Sequence, residues 1–155
     1  MLNSDYNDIL RIFAEHDVKF MLVGGFALAA HGYPRATLDI DLWVLASKDN
    51  AVAVYEALKE FGAPLKDLAP DDFAVEGVVF QVGVAPRRID IITEIDGVDF
   101  TDAYSRAKTL QLNGTTLPVI SLPDLLANKR ASSRLKDLAD VELLEGLLNR
   151  DVNGQ

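Results

Sequence analysis

Asp39 and Asp41 stand two residues apart in the run Leu38-Asp39-Ile40-Asp41-Leu42-Trp43-Val44. On a β-strand alternate side chains share a face, so both carboxylates point one way, about 6.6 Å apart along the backbone, while Ile40, Leu42 and Val44 turn into a core. At about 4 Å two such charges repel by roughly 4 kcal/mol at an effective dielectric near 20. A divalent cation that prefers hard oxygen ligands relieves this, which suits Mg²⁺, with Mn²⁺ as a substitute. Upstream, Gly24-Gly25 ends an apolar run and opens a short Ala-rich segment. Glycine there lets the backbone at the start of the following helix approach a phosphate. A tight strand-to-helix turn followed by an edge strand with solvent-facing aspartates is the scaffold alternative. Together, the glycines and Asp-x-Asp favour a metal and phosphate site.

A third carboxylate, Asp90, sits inside the apolar strand Arg88-Ile89-Asp90-Ile91-Ile92-Thr93. Ile89 and Ile91 face inward on one side, and Arg88, Asp90 and Ile92 lie on the other. A buried carboxylate needs a partner. Either it pairs with Arg87 or Arg88, or it completes the cluster begun by Asp39 and Asp41. Arg35 and Thr37 share the face of the two aspartates if their strand begins early. Lys129, Arg130, Arg134 and Lys136 gather positive charge against the overall sign of the chain. This is either a solvated helix face or a phosphate-facing cluster, with Asp137 and Asp140 orienting Lys136 or Arg134 by ion pairs one turn apart. His31, at a helix end, reads as a cap or spectator.

Several elements must position these groups. Leu2, Tyr6, Ile9, Leu10 and Phe13 recur at helical spacing after a plausible cap at Ser4, so an amphipathic helix opens the chain. Val18 to Val23 is apolar enough for a buried strand, and a short helix follows from Gly24 to His31. After the Asp39–Asp41 strand, Ser47 to Asn50 reads as a turn and cap. A helix then runs on Val52, Tyr55, Leu58 and Phe61 to Gly62. Ala63 to Asp72 is a loop, Phe73 to Val82 is β-rich, and Asp99 to Lys108 is a short helix or loop. Asn113-Gly114 is the strongest turn signal and predicts a hairpin across Leu110 to Val119. Ser121-Leu122-Pro123-Asp124 starts a helix carrying Leu125, Leu126 and Lys129. A last helix follows on Leu135, Leu138, Val141, Leu144 and Leu148, and Asn149 to Gln155 is expected to fray.

The 155 residues fit one domain, expected over residues 1–150 with a frayed tail at 151–155; their 49% apolar and 25% charged content is ordinary for a soluble fold. A formal charge of -9 speaks against a nonspecific nucleic-acid binder. Cysteine is absent, which excludes disulfides and thiolate metal sites. Neither a signal-peptide pattern nor a bilayer-length apolar run is present, so no membrane association and a cytoplasmic setting are expected.

Gly24-Gly25, Arg35-x-Thr37-x-Asp39-x-Asp41 and Asp90 resemble the nucleotidyltransferase superfamily that includes DNA polymerase beta. The closer likeness is to small stand-alone bacterial nucleotidyltransferases, close to the AbiEii-type toxins. It rests also on H-G-Y-P-R at His31 to Arg35, R-R-I-D-I at Arg87 to Ile91 and K-D-L-A-D at Lys136 to Asp140. The resemblance implies an α/β nucleotidyltransferase fold, a mixed twisted sheet flanked by helices with a C-terminal helical cap. It makes Asp39, Asp41 and Asp90 the metal ligands, the last helping to activate the attacking hydroxyl. Gly24 and Gly25 would line the triphosphate, and Lys129, Arg134 and Lys136 would add phosphate contacts. Arg35 and Thr37 join this nucleotide-binding set. Many members have Gly-Ser where this chain has Gly24-Gly25, so a hydroxyl contact to phosphate is missing here.

The expected activity is Mg²⁺-dependent transfer of a nucleoside monophosphate from an NTP, such as ATP, to a hydroxyl on an RNA end, a protein side chain or a small molecule. Two further readings stay open. One is a catalytically silent nucleotide- or partner-binding module of a toxin–antitoxin-like pair, with an antitoxin-like protein as partner. The other is a metal-dependent phosphohydrolase or nuclease.

Overall fold

Four consecutive apolar residues make β1 (Phe20–Val23), and all four are buried. Immediately after it the chain turns into helix α2 (Gly24–Ala30) and returns as β2 (Ile40–Val44), which pairs antiparallel with β1. The computed structural model describes residues 4–33, 39–84, 87–132, 134 and 137–152, with 151 and 152 by backbone alone. Ahead of β1, helix α1 (Ser4–Glu15) buries Tyr6, Ile9, Leu10, Ile12 and Phe13 along one side. After β2 come helix α3 (Lys48–Phe61), a 3-10 turn (Pro70–Phe73), β3 (Val79–Val82) and β4 (Ile89–Ile92). Helix α4 (Phe100–Arg106), the hairpin β5 (Lys108–Leu112) and β6 (Thr115–Val119), and helices α5 (Leu122–Ser132) and α6 (Leu138–Val152) complete the described chain.

The six strands form one mixed sheet in the order β3-β4-β2-β1-β6-β5. β2 pairs with β4, and β1 with β6, in parallel; the other neighbours are antiparallel. This is the mixed α/β sheet expected from the sequence. Ile40, Leu42 and Val44 point into the core and are fully buried. Trp43 lies on the side of β2 shared with Asp41 and packs edge-on to Phe100 of α4, with ring centroids 5.0 Å apart. Helices α5 and α6 pack against each other as the C-terminal cap.

Local signals explain most element ends. Ser47 caps α3 by accepting from the Asn50 N–H, and Gly62 stops it in a left-handed conformation at φ 95°. Asn113 and Gly114, at φ 50° and 82°, make the hairpin turn that their pairing predicts. The expectation of β structure across Phe73 to Val82 holds only from Val79 onward. Phe73 belongs to the 3-10 turn, and Gly77 at φ 86° interrupts the β-branched run before β3 can start. Of the tail expected to fray, Asn149 to Val152 continue α6, and residues 153–155 lie outside the described residues.

Asn50 is the polar pin of the sheet end. Its side chain accepts from the Lys19 N–H (2.7 Å) and donates to the carbonyls of Lys19 (3.0 Å) and Leu45 (2.9 Å), tying α3 to both β1 and β2. Asn50→Ala removes the acceptor of the Lys19 N–H and leaves the carbonyls of Lys19 and Leu45 with only their backbone donors, the N–H groups of Leu45 and Ser47. One donor left unpaired costs about 1–3 kcal/mol, and urea unfolding is expected to show a loss of about 1–2 kcal/mol after water entry.

Candidate active site

The parallel pairing of β2 with β4 sets Asp41 directly across from Asp90. Asp39, one residue ahead of β2, accepts from the Arg88 N–H at 2.8 Å, which fixes it beside the start of β4. Gly24 lies against Asp41 from the other side. It sits at φ 71°, and a Cβ there would overlap Asp41 Oδ2. The glycine is therefore needed twice, for its backbone conformation and for the space its missing side chain leaves to a carboxylate. Gly24→Ala is expected to cost only about 1–2 kcal/mol of stability, the strain of a left-handed L-residue. Its larger effect is to turn the Asp41 carboxylate aside, which a crystal structure of the variant would show.

Asp41, Asp90 and Asp39 shape one another electrostatically. Burial pushes the Asp41 carboxyl up to about 6; the neighbouring charge and hydrogen bonding of Asp90, and then Asp39, add to the rise, while Lys129 opposes it. Arg88 supplies a close counter-charge. Its Nε and Nη2 donate to the two oxygens of Asp90 at 2.7 and 3.1 Å, and Nη2 lies 3.7 Å from Asp39 Oδ2. Both readings of Asp90 therefore hold in geometry: it pairs with Arg88, and it stands in the aspartate cluster.

On the opposite wall α5 and α6 contribute a second network. Lys129 Nζ lies 3.0 Å from Asp137 Oδ1 and 3.4 Å from Asp140 Oδ2. Asp137 also accepts from Arg134 Nε at 2.9 Å and from the Ser132 hydroxyl. Both aspartate side chains are only 3% exposed, and Lys129 11%. Burial alone would raise the Asp137 carboxyl, but the bonds from Ser132, Lys129 and Arg134 outweigh it and hold it down at about 2. The expectation that Asp137 and Asp140 orient Arg134 or Lys136 is right for Asp137 and Arg134. Their larger role is to clamp Lys129. Arg130 turns away to Glu145, at 3.2 Å.

These two walls enclose a cleft of about 610 Å³ that brings together Gly24, Gly25, Asp39, Asp41, Asp90, Lys129 and Arg134. Arg35, Thr37 and Lys136 lie outside the described residues. His31 is not in the cleft lining; its Nε2 bonds the Ile120 carbonyl at 2.7 Å and ties the end of α2 to the end of β6. Sequence reasoning missed Ser132, Asn128, Glu94 and Asp96 in the lining. Glu94 and Asp96 follow β4, and a continued alternation from Asp90 through Ile92 to Glu94 and Asp96 was the available signal.

The lining is acidic. Asp39, Asp41, Asp90, Glu94, Asp96, Asp137 and Asp140 face Arg88, Lys129 and Arg134, so seven carboxylates stand against three basic groups and the described lining carries a formal charge of minus four. Among the described residues no three carboxylate or histidine groups already converge as a metal cage.

The sequence profile of the nucleotidyl transferase AbiEii toxin family, type IV TA system, matches residues 8–154. A search of curated proteins finds no match. Among solved structures, the Thermotoga maritima protein TM1012, provisionally assigned as a nucleotidyltransferase, superposes with a TM-score of 0.56 at 18% identity, over 97% of this chain and 96% of its own. The antibiotic-resistance factor ANT(2'')-Ia gives 0.63 at 15% identity, over 94% and 83%. The lincosamide antibiotic adenylyltransferase LnuA, solved with lincomycin bound, gives 0.60 at 16% identity, over 93% and 97%. At these identities the three structures show a shared fold, while the profile spans nearly the whole chain. The chain belongs to the AbiEii nucleotidyl transferase toxin family and is a nucleotidyltransferase.

Proposed function

We propose that this nucleotidyltransferase moves a nucleoside monophosphate from an NTP onto a hydroxyl acceptor and releases pyrophosphate. The observation that carries the reading is the β2–β4 register, which sets Asp41 beside Asp90 in a cleft that Gly24 and Gly25 also line. In the reaction the acceptor oxygen bonds to the α-phosphorus, the bond from that phosphorus to the pyrophosphate oxygen breaks, and the hydroxyl proton passes to a carboxylate. We assign that proton to Asp90. Gly24 and Gly25 let the triphosphate approach the backbone, and Lys129 and Arg134 face it from the α5–α6 wall in fixed orientations set by Asp137 and Asp140.

The donor set fits a divalent cation. It is all oxygen, the described lining around it carries an excess of four negative charges, and a triphosphate is itself strongly anionic, so the two meet only with added positive charge. Asp39, Asp41 and Asp90 would hold Mg²⁺, or Mn²⁺ in its place, which supplies neutralisation of the charge on the attacking and leaving oxygens.

The pairing of Lys129 and Arg134 with their own aspartates leaves little positive charge in the described lining for a long polyanion. A small-molecule or protein hydroxyl therefore suits the cleft better than an RNA end. The small-molecule option is in keeping with LnuA, whose structure holds lincomycin. We place the reaction in the cytoplasm, where NTPs are made. None of the described helices is long and apolar enough to cross a membrane. A companion antitoxin is the partner that a type IV toxin–antitoxin family implies.

The test is incubation with each NTP labelled at the α-phosphate, Mg²⁺ or Mn²⁺, and a cell lysate fractionated into RNA, protein and small molecules. Label is expected in the protein or small-molecule fraction. Orthophosphate release or RNA cleavage without transfer would replace this reading with a phosphohydrolase or nuclease. Nucleotide binding without any transfer would replace it with a silent binding module.

A further inference from the structure

Among the basic groups of the described lining, Arg88 is the one to which the proposed reaction gives no role. Its backbone is fixed: the N–H donates to Asp39, and the carbonyl accepts from the Ile40 N–H at 3.0 Å and the Tyr6 hydroxyl at 3.2 Å. Its guanidinium is held differently. That fork contacts Asp90, bidentate, and Asp39, and the side chain, in the cleft lining, is 32% exposed. The fork can therefore leave without moving the strand. While it stays, both oxygens of Asp90 and one of Asp39 are engaged by a resident cation, in a cluster that burial and like charge make costly to leave uncompensated.

We propose that Arg88 is a displaceable counter-ion that occupies the aspartate cluster in place of a divalent cation and must yield Asp90 for the metal to load. This inference rests on the metal-binding reading of Asp39, Asp41 and Asp90. It assigns Arg88 two positions. With the cluster free of metal, the guanidinium holds Asp39 and Asp90 together. With metal bound, it swings into the cleft on its fixed backbone and presents its charge to the anionic part of the substrate. Asp90 is then released from its bidentate partner, as its assigned role in taking the acceptor proton requires. Cation loading and arrival of positive charge at the nucleotide become one event.

A purely structural role for Arg88 makes the opposite prediction. If the guanidinium served to orient Asp90 toward a metal, its loss would weaken metal binding. If it competes, its loss strengthens binding. The sign separates the two.

The experiment is a titration with Mn²⁺ alone, with no nucleotide, following free Mn²⁺ by electron paramagnetic resonance. The parent, Arg88→Met, Arg88→Lys and Asp39→Asn/Asp41→Asn proteins are compared, with circular dichroism to confirm folding. Arg88→Met is expected to bind Mn²⁺ about 10-fold more tightly than the parent, in line with losing a competing charge-assisted pair. Arg88→Lys, which keeps the charge without the planar fork, is expected to fall between them. Without metal, Arg88→Met is expected to melt below the parent, and saturating Mn²⁺ should close that gap.

Unchanged or weaker Mn²⁺ binding in Arg88→Met overturns the proposal and leaves the metal reading standing, provided that the parent binds and the double aspartate variant does not. Should Arg88→Met fail to fold, Mn²⁺ binding by Arg88→Lys no tighter than that of the parent overturns it equally. Absence of Mn²⁺ binding in the parent and in both Arg88 variants removes the metal reading and this inference together.

Discussion

Asp41→Asn is expected to lower nucleotide transfer by about 10³-fold or more while leaving the protein at least as stable as the parent. The two effects have one cause. Asp41 is the carboxylate whose ionisation the fold resists most visibly, because burial and then Asp90 and Asp39 push it up to about 6. A group whose carboxyl is raised in the folded state loses stability as pH climbs from about 4 through about 6, and that loss is complete at neutral pH. Asparagine keeps the shape and removes the charge, so at pH 7 the variant is expected to gain up to about 2 kcal/mol in urea unfolding. The same removal deletes a metal-directed oxygen and the charge it brings, which is where a metal-assisted transfer is most sensitive. A variant that is both destabilised and active would contradict each half of the argument separately.

Asp137→Asn is the second large effect, and its signature lies in pH. Here the carboxyl is held down at about 2, so the sign reverses. Its contribution is full above about pH 4 and disappears as pH falls from there to about 2. That contribution is about 2 kcal/mol from the shift alone. Leaving a buried ammonium with a single remaining aspartate, Asp140, adds to the cost, so a total of about 2–4 kcal/mol is expected at pH 7. Parallel unfolding curves of parent and variant at pH 7, 5, 3 and 2.5 should show a gap that is constant between pH 7 and 5 and narrows below. A gap that persists unchanged at pH 2.5 would mean that packing, rather than charge, is what Asp137 provides.

The sheet and its carboxylates were largely legible in the sequence because they rest on short-range rules. Alternation placed Asp39 and Asp41 on one face and Arg88 with Asp90 on another strand, and two turn residues placed the hairpin. The α5–α6 wall was less legible. The basic run suggested positive charge facing outward or toward phosphate, yet Lys129 is satisfied by Asp137 and Asp140, eight and eleven positions later, one just ahead of α6 and one on it. Only the packing of the two helices decides that pairing. β3 was over-extended because Val75, Val78 and Val79 favour strands locally, whereas Gly77 carries a backbone conformation that strand pairing does not use. The second job of Gly24, making room for Asp41, is likewise invisible without knowing what lies seventeen residues further along.

The cleft draws one wall from residues 23–96 and the other from residues 128–140. A chain still emerging from the ribosome therefore has its aspartates long before it has Lys129 clamped by α6. A chain cut short ahead of Asp137 carries the aspartates of β2 and β4 but neither carboxylate that clamps Lys129.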